Sequence, residues 1–375
     1  MIGFKSYITE SAKGGGIQHL EHPSDRTFDN EKAAKQALST LRGVALGRTP
    51  ITRKIDDKMS FQIKREKDGR IGVKYKGPGA SYNYSPEDVD KQHSQKPYLA
   101  GPLKAILAHA HKVVPKRASE WQGGFMSTPE TREEKGGKIT HTPNTISYAV
   151  GKDTPEGKKL ARSRVSVTVH TELKGRNRRP TPILNQSEFG SHPDVHMVDH
   201  VIGDDDKKLS PEERRPILYH IANAQRLMRG HDYGHLSGHE ISLRTYVNST
   251  LDTGEKPTVQ GYARHLGSRW EKEIGKVKTE KTKAAKAAAR DAALAHIQKN
   301  KSAFKRTLDI HHHSQQATNL LARTLHKKTT GDYSYSVGGK KTGGEGFFAK
   351  GLKVVDRQEF SKLNRARSAL LRAKK

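Results

Sequence analysis

The most constraining stretch of this chain is ITRKIDDKMSFQIKREKDGR, residues 51–70, and the few residues after it. Met59–Arg65 alternates apolar and polar side chains, Asp68-Gly69 is the dipeptide of a type I′ turn, and Ile71–Tyr75 resumes the alternation. A period of two on both sides of an Asp-Gly pair specifies a β-hairpin with one buried face, because a helix cannot present that pattern to a core. At the mouth of the hairpin stands Lys54, in Lys54-Ile55-Asp56-Asp57. A lysine amine becomes a nucleophile when burial or neighbouring cations lower its pKa.

The rest of the chain reads as mixed. Asn30 caps an expected helix over 31–46 that Gly47 ends, and Ser85-Pro86-Glu87-Asp88 opens another. A helix over Leu103–Val114 stops before Pro115, while Trp121–Met126, Ile146–Val150 and Val165–Leu173 read as strands. Ser210-Pro211-Glu212-Glu213 starts a helical region that runs to about His326, interrupted by a loop at Leu251–Pro257. Antiparallel helices projecting from the sheet are the simplest arrangement of that region. The division expected is 1–50 as an opening segment and helix, 51–203 as the first part of the core, 204–330 as a helical insertion, 331–361 as closing strands and 362–375 as a basic tail.

Charge narrows the partner. Lys+Arg 69 less Asp+Glu 40 gives +29, with pI about 10.0, which favours nucleic acid, RNA or DNA, and salt-sensitive binding. The cations singled out are Lys74 and Lys76 beside Tyr75 and Gly77, the basic loop Arg176, Arg178 and Arg179, and Lys281, Lys283 and Lys286 in the helical region. With no cysteine, disulfides, thiolate metal sites and cysteine nucleophiles are excluded. No apolar run is long enough to span a membrane, so a soluble, cytoplasmic protein is expected. Histidines recur at spacings of four at His192, His196 and His200 and at His231, His235 and His239. On helices each set would share a face, although surface or capping roles are the plainer expectation than metal ligation.

Four short signals occur in an informative order. Lys54-Ile55-Asp56 resembles the Lys-x-Asp-Gly box of covalent nucleotidyltransferases, the superfamily of DNA ligases, RNA ligases and capping enzymes. Glu345-Gly346-Phe347-Phe348 and Leu352-Lys353-Val354-Val355 are similar to its two late strands, and Trp121–Met126 falls where it has an aromatic-x-Gly-acid strand. Over nearly its full length the chain looks like ligase-like proteins of tailed bacteriophages, through FKSYITESAKGGGIQHLEHPSDR, HTPNTISY and KVVDRQEFSKLN.

The resemblance implies an α+β fold, an antiparallel-sheet adenylation-type core with a large basic helical insertion. It implies that Lys54 is nucleotidylated from ATP or GTP with Mg²⁺ or Mn²⁺ and passes the nucleotide to a polynucleotide end in an infected host cell. Asp56 would orient the site, Glu345 would serve the metal, Lys353 the phosphates, and Tyr148 a base. Two positions depart from the pattern: Asp57 replaces the glycine of the first box, and Gly124 replaces the carboxylate that holds the ribose in relatives. A carboxylate beside Lys54 favours its ammonium form, so a binding protein on a decayed ligase core is the alternative, with a charge-neutralising virion component as a third reading.

Overall fold

The computed structural model describes residues 21–251, 253–329 and 331–373, which leaves Gly14-Gly15-Gly16 outside the described residues. The chain is α+β. After a 3₁₀ turn at Asp25–Phe28, α1 (Glu31–Ala45) starts where Asn30 accepts a hydrogen bond from Ala33 N at 2.9 Å and stops before Gly47, whose φ of 71° suits glycine. Next come β1 (Thr52–Lys54), β2 (Met59–Arg65) and β3 (Ile71–Tyr75). β2 and β3 form the expected hairpin, from Phe61↔Tyr75 to Arg65↔Ile71, with Gly69 at φ 87° in the turn.

Ser85 caps α2 (Pro86–His93) through a full capping box. α3 (Pro97–His109) starts at Pro97 rather than at the expected Leu103, since proline in a first turn gives up an N–H that has no helical partner anyway. β4 (Ser119–Ser127), β5 (Arg132–Lys135), β6 (Lys138–His141) and β7 (Ser147–Gly151) lead to α4 (Pro155–Arg162), then β8 (Val165–Lys174), β9 (Arg179–Pro182) and β10 (Val195–Met197). The helical region holds α5 (Pro211–Met228), α6 (Glu240–Thr250), α7 (Val259–Gly275), α8 (Glu280–Lys299) and α9 (Lys301–Lys328). β11 (Tyr333–Val337), β12 (Lys340–Thr342), β13 (Gly346–Ala349), β14 (Leu352–Val354) and α10 (Arg357–Ala373) complete the chain. Among the described residues no helix is long and apolar enough to cross a membrane.

Three sheets organise these strands. One has the order β1-β13-β14; the largest runs β10-β8-β4-β2-β3 with β9 on β8; the third runs β12-β11-β7-β6-β5. All pairings are antiparallel except β10 with β8. On the large sheet, Phe61, Ile63, Trp121, Phe125 and Val167 are buried against Leu103 and Ile106 of α3. The strand period therefore sends Gln62, Lys74, Gln122, Gly124 and Thr168 to the opposite face.

Two expectations about the helices change. α5 and α9 do not project: they share a core with Leu38 and Leu41 of α1 and with Ile51, Phe347, Ala349 and Val354, so they form the floor under the β1-β13-β14 sheet. α6, α7 and α8 pack instead around a second core of Leu243, Tyr262, Ile297, Phe304 and Leu308. The histidine sets are not helical stripes either. His196 lies on β10, His200 beyond it, and His231, His235 and His239 in the turns between α5 and α6; all five are buried rather than on the surface. Helical spacing misled because the intervening glycines, Gly230, Gly234 and Gly238, break the helix between them.

Candidate active site

Lys54 and Lys353 are separated by almost three hundred residues and meet on one face of one sheet. Lys54 pairs with Gly346 and Thr52 with Phe348, while Phe348 pairs with Lys353 across the next strand. The side-chain period then puts Lys54, Phe348 and Lys353 on the same side, and Phe347, Ala349 and Val354 on the side packed against the helices. Gly346 cannot be replaced without strain: its φ is 151°, and a Cβ there would lie 2.6 Å from the Val354 carbonyl oxygen. That fixes the glycine of the Glu345-Gly346 signal by backbone geometry.

Glu345 holds the lysine. Lys54 Nζ forms an ion pair with Glu345 Oε1, and the ammonium lies 5.9 Å from the Phe348 ring centroid. Burial pushes the Glu345 carboxyl up to about 7, although the Lys54 charge pulls it back. Its other oxygen, Oε2, is buried and has no hydrogen-bond partner among the described residues. An acceptor so placed loses its hydration with no compensation, a cost of about 1–3 kcal/mol.

The polar face of the large sheet closes the site from the other side. His170 on β8 lies 6.4 Å from the Phe348 ring and is held down to about 3 by burial, then by the charges of His200, Lys76 and Lys54. Burial also lowers the pKa values of Lys76 and Lys353, Lys54 adding to the effect on Lys353. Gln122 Oε1 and Thr168 Oγ1 on this face are, like Glu345 Oε2, buried without hydrogen-bond partners among the described residues. Lys76, His170 and Asp57 of the one side thus lie close to Lys54, Glu345 and Lys353 of the other.

Asp56 and Tyr148 frame the site from behind. Asp56 is buried; Asn144 Nδ2 donates to its Oδ1 at 2.9 Å, and the Thr145 and Ile146 amides donate to its Oδ2 at 2.6 and 2.8 Å. The Asp56 amide in turn donates to the Tyr148 hydroxyl at 2.8 Å. Asp56 is therefore the clasp between the Lys54 loop and the 144–146 turn. Tyr148 is only 2% exposed, stacked on His141 with Tyr333 and Tyr335 at its edges, so its ring has no open face for a base.

The two departures from the ligase pattern meet in space. A Cβ at Gly124 would lie 2.4 Å from both Cβ and Oδ2 of Asp57, so the Asp57 side chain fills the place a side chain at 124 would take. The Ser60 hydroxyl donates to Asp57 Oδ2 at 2.9 Å, and burial raises the carboxyl's pKa against the pull of Ser60 and Lys54.

The other cations divide. Lys74 lies 4.6 Å from the Tyr82 ring centroid beside Arg178, and burial with that guanidinium lowers its pKa. Arg178 is not a free loop cation: it pairs with Glu120 and donates to Gln62 Oε1 at 2.9 Å, from a backbone at φ 50°. Arg176 and Arg179 are exposed at the β8–β9 turn. On α8, Lys281 is exposed, Lys283 pairs with Glu280 at 2.7 Å and Lys286 lies 3.7 Å from Glu273. Among the described residues no three His, Asp or Glu side chains cluster closely enough to hold a metal ion.

Residues 78–368 match a family described as of unknown function, DUF6267. The chain belongs to that family. The DUF6267 match takes in Glu345 and Lys353 but begins after the Lys54 strand, so the lysine lies outside the matched segment. No curated protein and no solved structure matches the chain.

Proposed function

We propose that this protein is an ATP-dependent, ligase-like nucleotidyltransferase acting on RNA or DNA ends in an infected host cell, with α5–α9 as a basic helical insertion on an adenylation-type core. The observation that carries the reading is the convergence of Lys54, Glu345 and Lys353, with Lys76 close to Lys353 and with the second Glu345 oxygen buried and unpartnered among the described residues. A site with lysines on two facing sheets suits a polyphosphate.

Lys54 Nζ attacks the α-phosphate of the nucleotide. A nitrogen–phosphorus bond forms, the bond to pyrophosphate breaks, and the amine's proton passes to Glu345, the acceptor already beside it. Lys353 and Lys76 offset the charge on the phosphates. The nucleotide then moves to a terminal phosphate of the polynucleotide, which frees Lys54, and a hydroxyl end displaces it to join the strands. Glu345 Oε2, with Asp57 close by, would be the oxygens to hold a magnesium ion, and the ion would add charge neutralisation there.

A second reading has its own support. The pocket beside Lys54 and Glu345 encloses only about 10 Å³, the room of a single water, and Lys54 is already engaged by Glu345. A nucleic-acid-binding protein on a decayed core would look like this. Incubation with α-labelled ATP or GTP and Mg²⁺ or Mn²⁺, followed by denaturing electrophoresis, separates the two. Label on the wild type and none on Lys54→Ala is expected; no label with either nucleotide and either metal, together with tight salt-sensitive nucleic-acid binding, leaves the binding protein.

A further inference from the structure

A second groove lies away from Lys54. Between α3 and the end of β4 lies a groove of about 460 Å³, within the size range of small-ligand sites. Phe125, Pro102 and Ala105 form its apolar wall, and Gly101 leaves it open, since a Cβ there would touch nothing within 4 Å. Tyr98 stands at the rim, 60% exposed, with no hydrogen bond or ring contact among the described residues. Leaving an aromatic ring of that size in water costs the apolar burial it could have had.

Two cations share the rim with it. Lys58 and Arg164 line the groove, both are exposed, and neither forms an ion pair among the described residues. Their backbones are fixed: the Lys58 amide donates to the Phe125 carbonyl at 3.2 Å, and the Arg164 amide to that of Asp194 at 2.8 Å. Of the lining residues only Glu130 is acidic, and it is exposed. Burial holds His109, deeper in, below its ordinary pKa, so it adds no charge at neutral pH.

We propose that this groove binds single-stranded nucleic acid, one base stacking on Tyr98 while the flanking phosphates lie against Lys58 and Arg164. A ring free on its face, cations at the rim, an apolar wall and a chain charge of +29 are the parts such a site needs. The strand must be single because a paired base has no face to give. The site rests on the polynucleotide partner proposed above and is independent of chemistry at Lys54.

The test is fluorescence anisotropy with a labelled oligothymidylate, its RNA counterpart and a duplex of the same length. Tyr98→Ala should weaken single-strand binding about tenfold and leave duplex binding unchanged, while Tyr98→Phe should bind as the wild type does. Lys58→Ala with Arg164→Ala should lower the slope of log affinity against log salt by about 1.4. Single-strand affinity unaffected by Tyr98→Ala, or an acidic peptide that blocks the groove without displacing the oligonucleotide, overturns the proposal. Loss of both strand forms in Tyr98→Ala overturns it too, because stacking on an unpaired base cannot produce that. Labelling of Lys54 in Tyr98→Ala keeps the two readings apart: it should be unchanged.

Discussion

In the helical half, His231 and His235 share the Thr307 hydroxyl at 2.8 and 3.1 Å, His239 is bonded to the Tyr262 hydroxyl at 2.7 Å and stacks on His296, and His296 reaches the His235 carbonyl at 2.9 Å. Between the sheets, by contrast, Glu345 Oε2 is buried with no partner among the described residues, while Lys54 holds the other oxygen and Lys353 lies close by. Both regions bury polar groups. The histidine cluster meets its polar groups from within the protein, although Tyr233 Oη, His265 Nε2 and Ser314 Oγ elsewhere in the helical region are buried without hydrogen-bond partners among the described residues; between the sheets, Glu345 Oε2 is in that state while its other oxygen already holds Lys54. The number of chemically suggestive side chains is thus a poorer guide to a site than the accounting of their hydrogen bonds.

The largest expected effect tests the helical half. Burial, joined by the charges of neighbouring histidines, lowers His231 and His239 from 6.5 to about 4. The unfolded chain therefore binds more protons than the folded one in this window: the stabilisation is complete above pH 6.5 and is lost as pH falls through about 4. Far-UV circular dichroism during urea unfolding should show a loss on the order of 2 kcal/mol per histidine between those limits. His239→Phe should reduce that slope while sparing the neutral-pH fold, since the Tyr262 hydroxyl keeps its bond to Ser242. An unchanged slope would mean that this cluster is not closed to solvent.

Gly124 sharpens the other side. Gly124→Ala places a methyl on Asp57 and should cost about 1–3 kcal/mol, while adding Asp57→Gly should recover most of it. Additive effects of the two changes in chemical denaturation would show that they do not compete for one space. The smallest effect is at Glu345. Its pKa rises on folding, from 4.5 to about 7, so its contribution is complete below pH 4.5 and is lost as pH rises through 7. Set against the wild type, Glu345→Gln should remove a decline on the order of 2 kcal/mol over that range, the size expected for one histidine rather than for the pair and opposite in sign.

What could be read from the residues was local. The hairpin from Met59 to Tyr75 and the caps at Asn30, Ser85 and Ser210 each depend on a few neighbouring side chains, and each is found where the pattern puts it. Lys54, Glu345 and Lys353 were legible as separate signals, but nothing in their spacing specifies the pairing of β1 with β13. Asp57 and Gly124 looked like two unrelated departures because their overlap exists only across a strand crossing. The tight packing of α5 and α9 under the small sheet was hidden by their charged outer faces. The Tyr98 groove left no trace in the sequence, since exposure of one tyrosine depends on which neighbours fail to cover it.

The pairing of β1 with β13 also sets a time for the site. During synthesis β1 leaves the ribosome well before the strands beside Glu345 and Lys353, which follow it by almost three hundred residues. Until then β1 has no partner on that edge, and Lys54 has neither its carboxylate nor its neighbouring lysine. A chain stalled before Gly346 carries Lys54 on a strand without its partner, so the face that brings Lys54, Glu345 and Lys353 together is the product of the longest-range pairing in the sheet.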